Sequence, residues 1–187
     1  MTPNKGNCST NADCSSSQYC SVYPGATACC AASNSAIRDA CTSLYGNCSA
    51  KYSFSSTFTT GTLNLPKGEL TYYKSRYSVL TQWSAKNYCE AYGLRLLTMA
   101  DLGLQDSAEE KGYCCFDNTN TSYQKAPCIC AGDPDCSKTF SEVSKIGSAI
   151  LGDVREGYPC DVRSLRKAGL VTYSGQNSSI YPVCVDK

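Results

Sequence analysis

The amino-acid sequence predicts an α+β protein in which a small disulfide-rich module precedes a larger domain of mixed helices and strands. Seven of the fifteen cysteines fall within residues 1–50, among small polar residues and few large apolar ones. The stretch Leu70–Leu102 has the pattern of an aromatic strand, a short amphipathic helix and an apolar strand. A last apolar strand is predicted over Ile180–Val185.

The N-terminal module, residues 1–50, is expected to depend on crosslinks, because so short and polar a segment buries too little apolar surface to fold on burial alone. Its cysteines are Cys8, Cys14, Cys20, Cys29, Cys30, Cys41 and Cys48. Residues 51–68 lack cysteine and fit either a linker or a leading strand, with a turn at Pro66, Lys67 and Gly68. The larger domain is predicted over residues 69–187.

The first helix of this domain is indicated by apolar residues at helical spacing. That apolar face consists of Ala85, Tyr88, Cys89 and Tyr92. The opposite, polar face consists of Lys86, Asn87 and Glu90. Thr81 is a suitable N-cap, since its hydroxyl can accept from a free N–H of the first turn. Gly93 stands where a left-handed residue ends a helix.

After this helix, Leu94–Met99 is predicted to be a buried strand because apolar residues occupy both of its faces. Asp101 is expected to cap another short helix. Residues 103–137 hold five cysteines and are interpreted as a disulfide-stapled insertion rather than regular structure. A second helix is predicted from the capping box of Thr139 and Glu142. Its apolar stripe consists of Phe140, Val143, Ile146, Ile150 and Leu151, and Gly152 follows as its stop.

The cysteine pattern favours disulfides over metal binding, because the chain has no histidine and no C-x2-C pair. So many cysteines are rare in cytosolic proteins, and we therefore expect an extracellular or cell-surface location, with a thiol-rich intracellular protein as the alternative. No signal peptide is visible, which we interpret as a mature or trimmed chain with an added Met1. Because fifteen is odd, at least one cysteine is free or bonds to another chain, which offers a route to self-association.

The stretch around the first helix resembles the opening of a C-type-lectin-like domain. That family begins with an aromatic strand, a helix of the form W-x-x-A-x-x-x-C-x-x-x-G and a strand of the form L-x-x-I/M. The matching positions are Trp83, Cys89, Gly93, Leu96, Leu97 and Met99, whereas Ala85 is one position early. The resemblance covers residues 69–187, with 103–137 as an insertion. It implies a structural disulfide between Cys89 and Cys184, which lies in the last strand.

The triplets with which that family binds sugars through Ca²⁺, E-P-N or Q-P-D and W-N-D, are absent from this chain. Asp133, Pro134 and Asp135 place a proline between two oxygen ligands, but they precede the second predicted helix, and we interpret them as a turn. Ca²⁺-dependent sugar binding is therefore not supported, and we expect no cofactor and no metal.

Catalysis and several classes of partner are also not expected. Without histidine there is no Ser-His-Asp or Cys-His machinery, and neither a P-loop nor a dinucleotide-binding glycine motif is present. The net charge of +1, without a basic block, gives no reason to expect nucleic acid as a partner. No apolar run reaches the roughly 18 residues that a membrane span needs.

Binding through a tyrosine-rich surface is the function that remains after these exclusions. The chain has 14 tyrosines, and tyrosine with Ser, Asn and Gly is typical of binding loops. The resemblance implies a binding face just before the last strand, and our candidate ligand-binding residues are Tyr158, Tyr173, Gln176, Asn177 and Tyr181. We predict a secreted or cell-surface, non-catalytic binding or adhesion protein for an extracellular protein or glycan ligand. The alternatives are a structural subunit of an extracellular layer or filament, and a secreted inhibitor or toxin-like effector.

Overall fold

The computed structural model describes residues 7–21, 46–79, 82–106, 128–130, 132, 137–147, 149–150, 152, 170–171 and 181–187. The strands are β1 Asn7–Cys8, β2 Gln18–Ser21, β3 Gly46–Ala50, β4 Phe58–Leu65, β5 Gly68–Ser75, β6 Leu94–Leu96, β7 Leu104–Asp106, β8 Cys128–Cys130, β9 Ala149–Ile150, β10 Leu170–Val171 and β11 Val183–Asp186. The helices are α1 Phe54–Thr57, α2 Gln82–Ala91 and α3 Ser137–Val143, with 3-10 turns at Asn11–Asp13 and Ala100–Leu102. The chain is thus an α+β protein.

An antiparallel sheet in the order β4-β5-β11-β6 forms the centre of the larger domain. The C-terminal strand β11 lies inside it, with Cys184 opposite Tyr73 of β5 and Leu96 of β6. Strands β4 and β5 form a hairpin in which Leu65 is paired with Gly68, and Gly68 has a φ of 139° that favours glycine. Residues 58–65 are therefore a leading strand rather than a linker.

Helix α2 packs its apolar side on this sheet. Ala85, Tyr88 and Cys89 are buried, and Cys89 forms a disulfide with Cys184 of β11. The helix ends at Ala91, and Gly93 follows it with a φ of 73°, in the left-handed conformation that was predicted for it. Thr81, the predicted N-cap, lies outside the described residues. The disulfide therefore ties α2 to the C-terminal strand β11. This is the pairing of Cys89 with Cys184 that the lectin-like resemblance implies.

The N-terminal module contains a three-stranded antiparallel sheet in the order β1-β3-β2. Disulfides join Cys8 to Cys20 and Cys14 to Cys48. The buried ring of Tyr19 packs edge-on against Tyr88 of α2, with 5.0 Å between ring centroids. The module and the larger domain therefore share one hydrophobic core.

The second helix differs from its prediction. Helix α3 begins at Ser137 and ends at Val143, and a turn leads to Gly147 with a φ of 73°. Ile150 belongs instead to β9, which pairs in parallel with β10. Turns follow the helix as far as Gly147, whose left-handed conformation ends the winding before β9 begins.

Two other local predictions are corrected. In the predicted insertion, β7 and β8 pair as antiparallel strands, so part of it is regular structure. Asp101 lies within the 3-10 turn, and it exchanges two hydrogen bonds with Thr98, which precedes the turn. Thr98 N–H donates to the Asp101 carboxylate at 2.9 Å, and Asp101 N–H donates to Thr98 Oγ1 at 3.1 Å.

None of the helices that the structure describes is long and apolar enough to cross a membrane.

Candidate binding surface

The candidate residues from the sequence fall mostly outside the described part of the chain. Tyr158, Tyr173, Gln176 and Asn177 all lie there. The fifth, Tyr181, is described, and its side chain is 44% exposed. The next residue anchors it to the sheet, because the Pro182 carbonyl accepts from Ser75 N–H at 2.8 Å. The backbone of Tyr181 thus lies at the end of the sheet where β5 ends.

Three more exposed aromatic residues mark the same end of the sheet. They are Tyr52 (54% exposed), Phe54 (43%) and Tyr77 (42%), and we call them the aromatic surface. The rings of Tyr52 and Tyr77 stack with centroids 4.8 Å apart and planes inclined by 26°. Exposed aromatic rings in contact are a common feature of recognition sites, because they offer large contact area at low entropic cost.

A layer of buried and half-buried rings supports the aromatic surface from below. The ring of Phe54 lies 4.9 Å from Phe58, 5.5 Å from Tyr73 and 6.3 Å from Tyr92. Strand β4 supplies Phe58, β5 supplies Tyr73, and Tyr92 follows α2. The position of Phe54 is therefore set by three separate segments of the fold.

Hydrogen bonds hold the backbone that carries these rings. The hydroxyl of Tyr92 accepts from Tyr52 N–H at 3.1 Å and donates to the Tyr52 carbonyl at 2.9 Å. On the other side of the stack, Tyr77 N–H donates to Ser75 Oγ at 2.9 Å, and that hydroxyl is 2.7 Å from the Tyr88 hydroxyl. The two stacked rings are thus each held by a tyrosine from the region of α2.

Tyrosines and lysine determine the electrostatics under this surface. Burial raises the pKa of Tyr88, and burial with the nearby Asp186 carboxylate raises the pKa of Tyr73. Both phenols are therefore neutral hydrogen-bonding groups at physiological pH. Lys51 donates from Nζ to the Ala91 carbonyl at 2.9 Å and lies 5.4 Å from the centre of the Tyr92 ring. The arrangement suits stacking and hydrogen bonding rather than proton transfer.

The described residues contain one cluster with the spacing of metal ligands. The sulfur atoms of Cys8, Cys14 and Cys48 lie within 4.8 Å of one another. All three are in disulfides, with Cys20 completing the set, so none offers the thiolate that a metal requires. The cluster is therefore a pair of adjacent crosslinks in the N-terminal module.

Sequence reasoning missed the aromatic surface although all three of its residues lie within 51–77. Tyr52 and Phe54 come before the first long strand and Tyr77 comes after the second. A hairpin brings its two ends together, so the aromatic residues on both sides of the predicted turn at Pro66, Lys67 and Gly68 were the available signal. A comparison with models of protein families, with curated proteins and with solved structures finds no match to this chain.

Proposed function

We propose that this chain is a non-catalytic binding or adhesion protein of the extracellular space or cell surface, whose larger domain is C-type-lectin-like. The order of elements supports the fold proposal, because an aromatic strand, a helix, a short strand and a final strand follow one another as the resemblance implies. The disulfide between Cys89 and Cys184 supports it further. Disulfides also support the extracellular location, since they persist in oxidising compartments.

The aromatic surface carries the proposal of binding. Tyr52 and Tyr77 expose about half of their side chains while stacked on one another, and Phe54 is exposed beside them. The hydroxyl of Tyr92 fixes the backbone of Tyr52, so the surface is preorganised and a ligand meets a small entropic cost. An extracellular protein or a glycan is the ligand class that such a neutral aromatic surface suits.

An array experiment tests this function. The labelled protein is applied to glycan and extracellular-protein arrays beside the double variant Tyr52→Ala/Tyr77→Ala. We expect the affinity of the double variant for the retained ligand to fall by about 10- to 100-fold, as for central aromatic contacts. Equal retention of the two proteins on every ligand would contradict the proposal.

Two single variants complete the design. Tyr72→Ala is the matched control, because Tyr72 neighbours Tyr73 in β5 and adjacent strand residues point to opposite faces. It is expected to bind like the unaltered chain. Tyr181→Ala determines whether the site extends to the side of the last strand, and a loss of affinity comparable with that of the double variant would favour a place for Tyr181 in the same site.

A further inference from the structure

Strand β4 forms an edge of the central sheet, and α3 contacts this strand and bonds to its residue Asn64. It pairs with β5 on one side, and no strand among the described residues pairs with its other side. Its eight residues, Phe-Thr-Thr-Gly-Thr-Leu-Asn-Leu, include no charge and no proline. Natural proteins commonly place Lys or Pro on such an edge to prevent pairing with another chain.

Hydrogen bonding shows which backbone groups of β4 point away from the sheet. Asn64 N–H donates to the Glu142 carboxylate at 2.7 Å, so residue 64 points outward, towards α3. Outward and inward residues alternate along an antiparallel strand. The N–H and C=O groups of Thr62 and Thr60 therefore also point outward, and the side chains of both residues are exposed.

Both ends of this outward row are already in use. The N–H of Phe58 is bonded to the Phe54 carbonyl within α1, and the N–H of Asn64 is taken by Glu142. The segment open for pairing is therefore centred on Gly61, between Thr60 and Thr62. It reads Thr-Gly-Thr, which is the same in both directions.

We infer that β4 is a self-association edge that pairs antiparallel with β4 of a second copy of this chain, about a two-fold axis at Gly61. Thr60 of one copy then lies opposite Thr62 of the other, and each such pair exchanges two N–H···O=C bonds. Gly61 lies opposite itself at the non-hydrogen-bonded position, where the backbones approach most closely.

The symmetry and charge of the strand identify a second copy as the partner. A two-fold axis at Gly61 places Thr60 of one copy against Thr62 of the other, so a charge at either position would have no partner of opposite sign across the pair. The segment has none, and its Thr–Thr contacts are favourable cross-strand pairs. The contact is small, and we expect a weak dimer with a dissociation constant of roughly 0.1 mM.

Sedimentation equilibrium up to about 1 mM tests the inference, since the expected dimer is then largely formed. The test variant is Thr62→Pro, which removes the outward N–H without touching the β4–β5 hydrogen bonds and is tolerated on an edge strand. The matched control is Thr62→Val, which keeps the N–H and the branched shape. We expect the unaltered chain and Thr62→Val to dimerise and Thr62→Pro to remain monomeric.

Hydrogen exchange of the unaltered chain gives a second readout that does not depend on the folding of a variant. We expect the amides of Thr60 and Thr62 to exchange more slowly as the protein concentration rises. The inference would be overturned by a monomer at about 1 mM or by unchanged exchange of these amides. A dimer that survives a non-reducing denaturing gel would also overturn it, because the link is then an inter-chain disulfide.

Discussion

The side-chain amide of Asn87 in α2 donates a hydrogen bond to the backbone carbonyl of Cys20 in β2 at 3.2 Å. The reverse contact comes from Asn11, whose amide donates to the Asn87 carbonyl at 2.7 Å while its side-chain oxygen accepts from Cys20 N–H at 2.9 Å. Two asparagines therefore join the N-terminal module to the helix that packs on the central sheet. Asn87 is only 7% exposed, so water does not replace this bond readily.

Substitution of Asn87 tests how firmly the module is attached. Asn87→Ala removes the donor to the Cys20 carbonyl, and we expect the free energy of unfolding to fall by about 1–3 kcal/mol, the cost of an unsatisfied buried polar group. Denaturation followed by circular dichroism measures this loss. Lys86→Ala, on the exposed side of the same helix, is the control and should stay within about 0.5 kcal/mol. Equal stability of the two variants would show that the module and helix are held together by other contacts.

The disulfide between Cys89 and Cys184 closes a longer stretch than those of the module, with a sequence separation of 95 against 34 for Cys14–Cys48. Chain entropy predicts losses of about 4.7 kcal/mol for Cys89→Ala/Cys184→Ala and about 3.8 kcal/mol for Cys14→Ala/Cys48→Ala. Denaturant titration of both double variants checks the order. A smaller loss for the longer closure would mean that the unfolded chain is already compact around α2.

The sequence predicted the helix and its glycine stop because both signals are local. Ala85, Tyr88 and Cys89 repeat at the helical period, and the glycine at position 93 adopts the left-handed conformation without strain because it has no β-carbon. The buried position of Asn87 was not predictable in this way. Its partner Cys20 lies 67 residues earlier, and the helical pattern contains no information on what covers the polar face.

The same limit applies to α3 and to the aromatic surface. Ile146 and Ile150 fit one helical stripe, but pairing of β9 with β10 competes for Ile150 and is a contact between distant segments. Tyr52 and Tyr77 meet only because the β4–β5 hairpin folds back, and a Ser- and Thr-rich sequence does not distinguish such a hairpin from a linker. Local periodicity was therefore enough to predict helices and strands, whereas the candidate site depends on how distant helices and strands pair with one another.

Gly61 and Tyr72 form a cross-strand pair in which the tyrosine ring covers the glycine. A β-carbon built at Gly61 lies 2.3 Å from the Tyr72 ring, so an alanine there must displace the ring. We expect Gly61→Ala to lower the free energy of unfolding by about 0.5–1 kcal/mol, the value of a cross-strand aromatic contact.

The sign should reverse when the ring is absent. In a Tyr72→Ala background, Gly61→Ala should stabilise the protein by about 0.5–1 kcal/mol, because alanine loses less backbone entropy in a strand. A double-mutant cycle measured by thermal unfolding gives the coupling. Equal effects of Gly61→Ala in both backgrounds would show that the ring does not pack on Gly61.

Acid should weaken the protein through the pair of Asp101 with Arg95, whose two contacts measure 2.6 Å and 2.7 Å. Partial burial alone would raise the pKa of Asp101, but hydrogen bonds from Arg95 and Thr98 outweigh it and lower the pKa below its usual 3.8. The ion pair therefore stabilises the folded protein above about pH 4, and this stabilisation is lost as the pH falls through the lowered pKa of Asp101.

Asp101→Asn should accordingly cost about 1 kcal/mol at pH 7, a modest value because the Arg95 side chain is 40% exposed and solvent screens the pair. The difference from the unaltered chain should shrink as the pH falls through the lowered pKa of Asp101, because the native carboxyl then becomes protonated as well. Arg95→Met is the companion variant, since it removes the partner and keeps the carboxylate, and it should also weaken the acid dependence. The measurement is the denaturant midpoint of all three proteins between pH 2 and pH 7. A difference in midpoint between Asp101→Asn and the unaltered chain that stays constant with pH would refute the role of the ion pair.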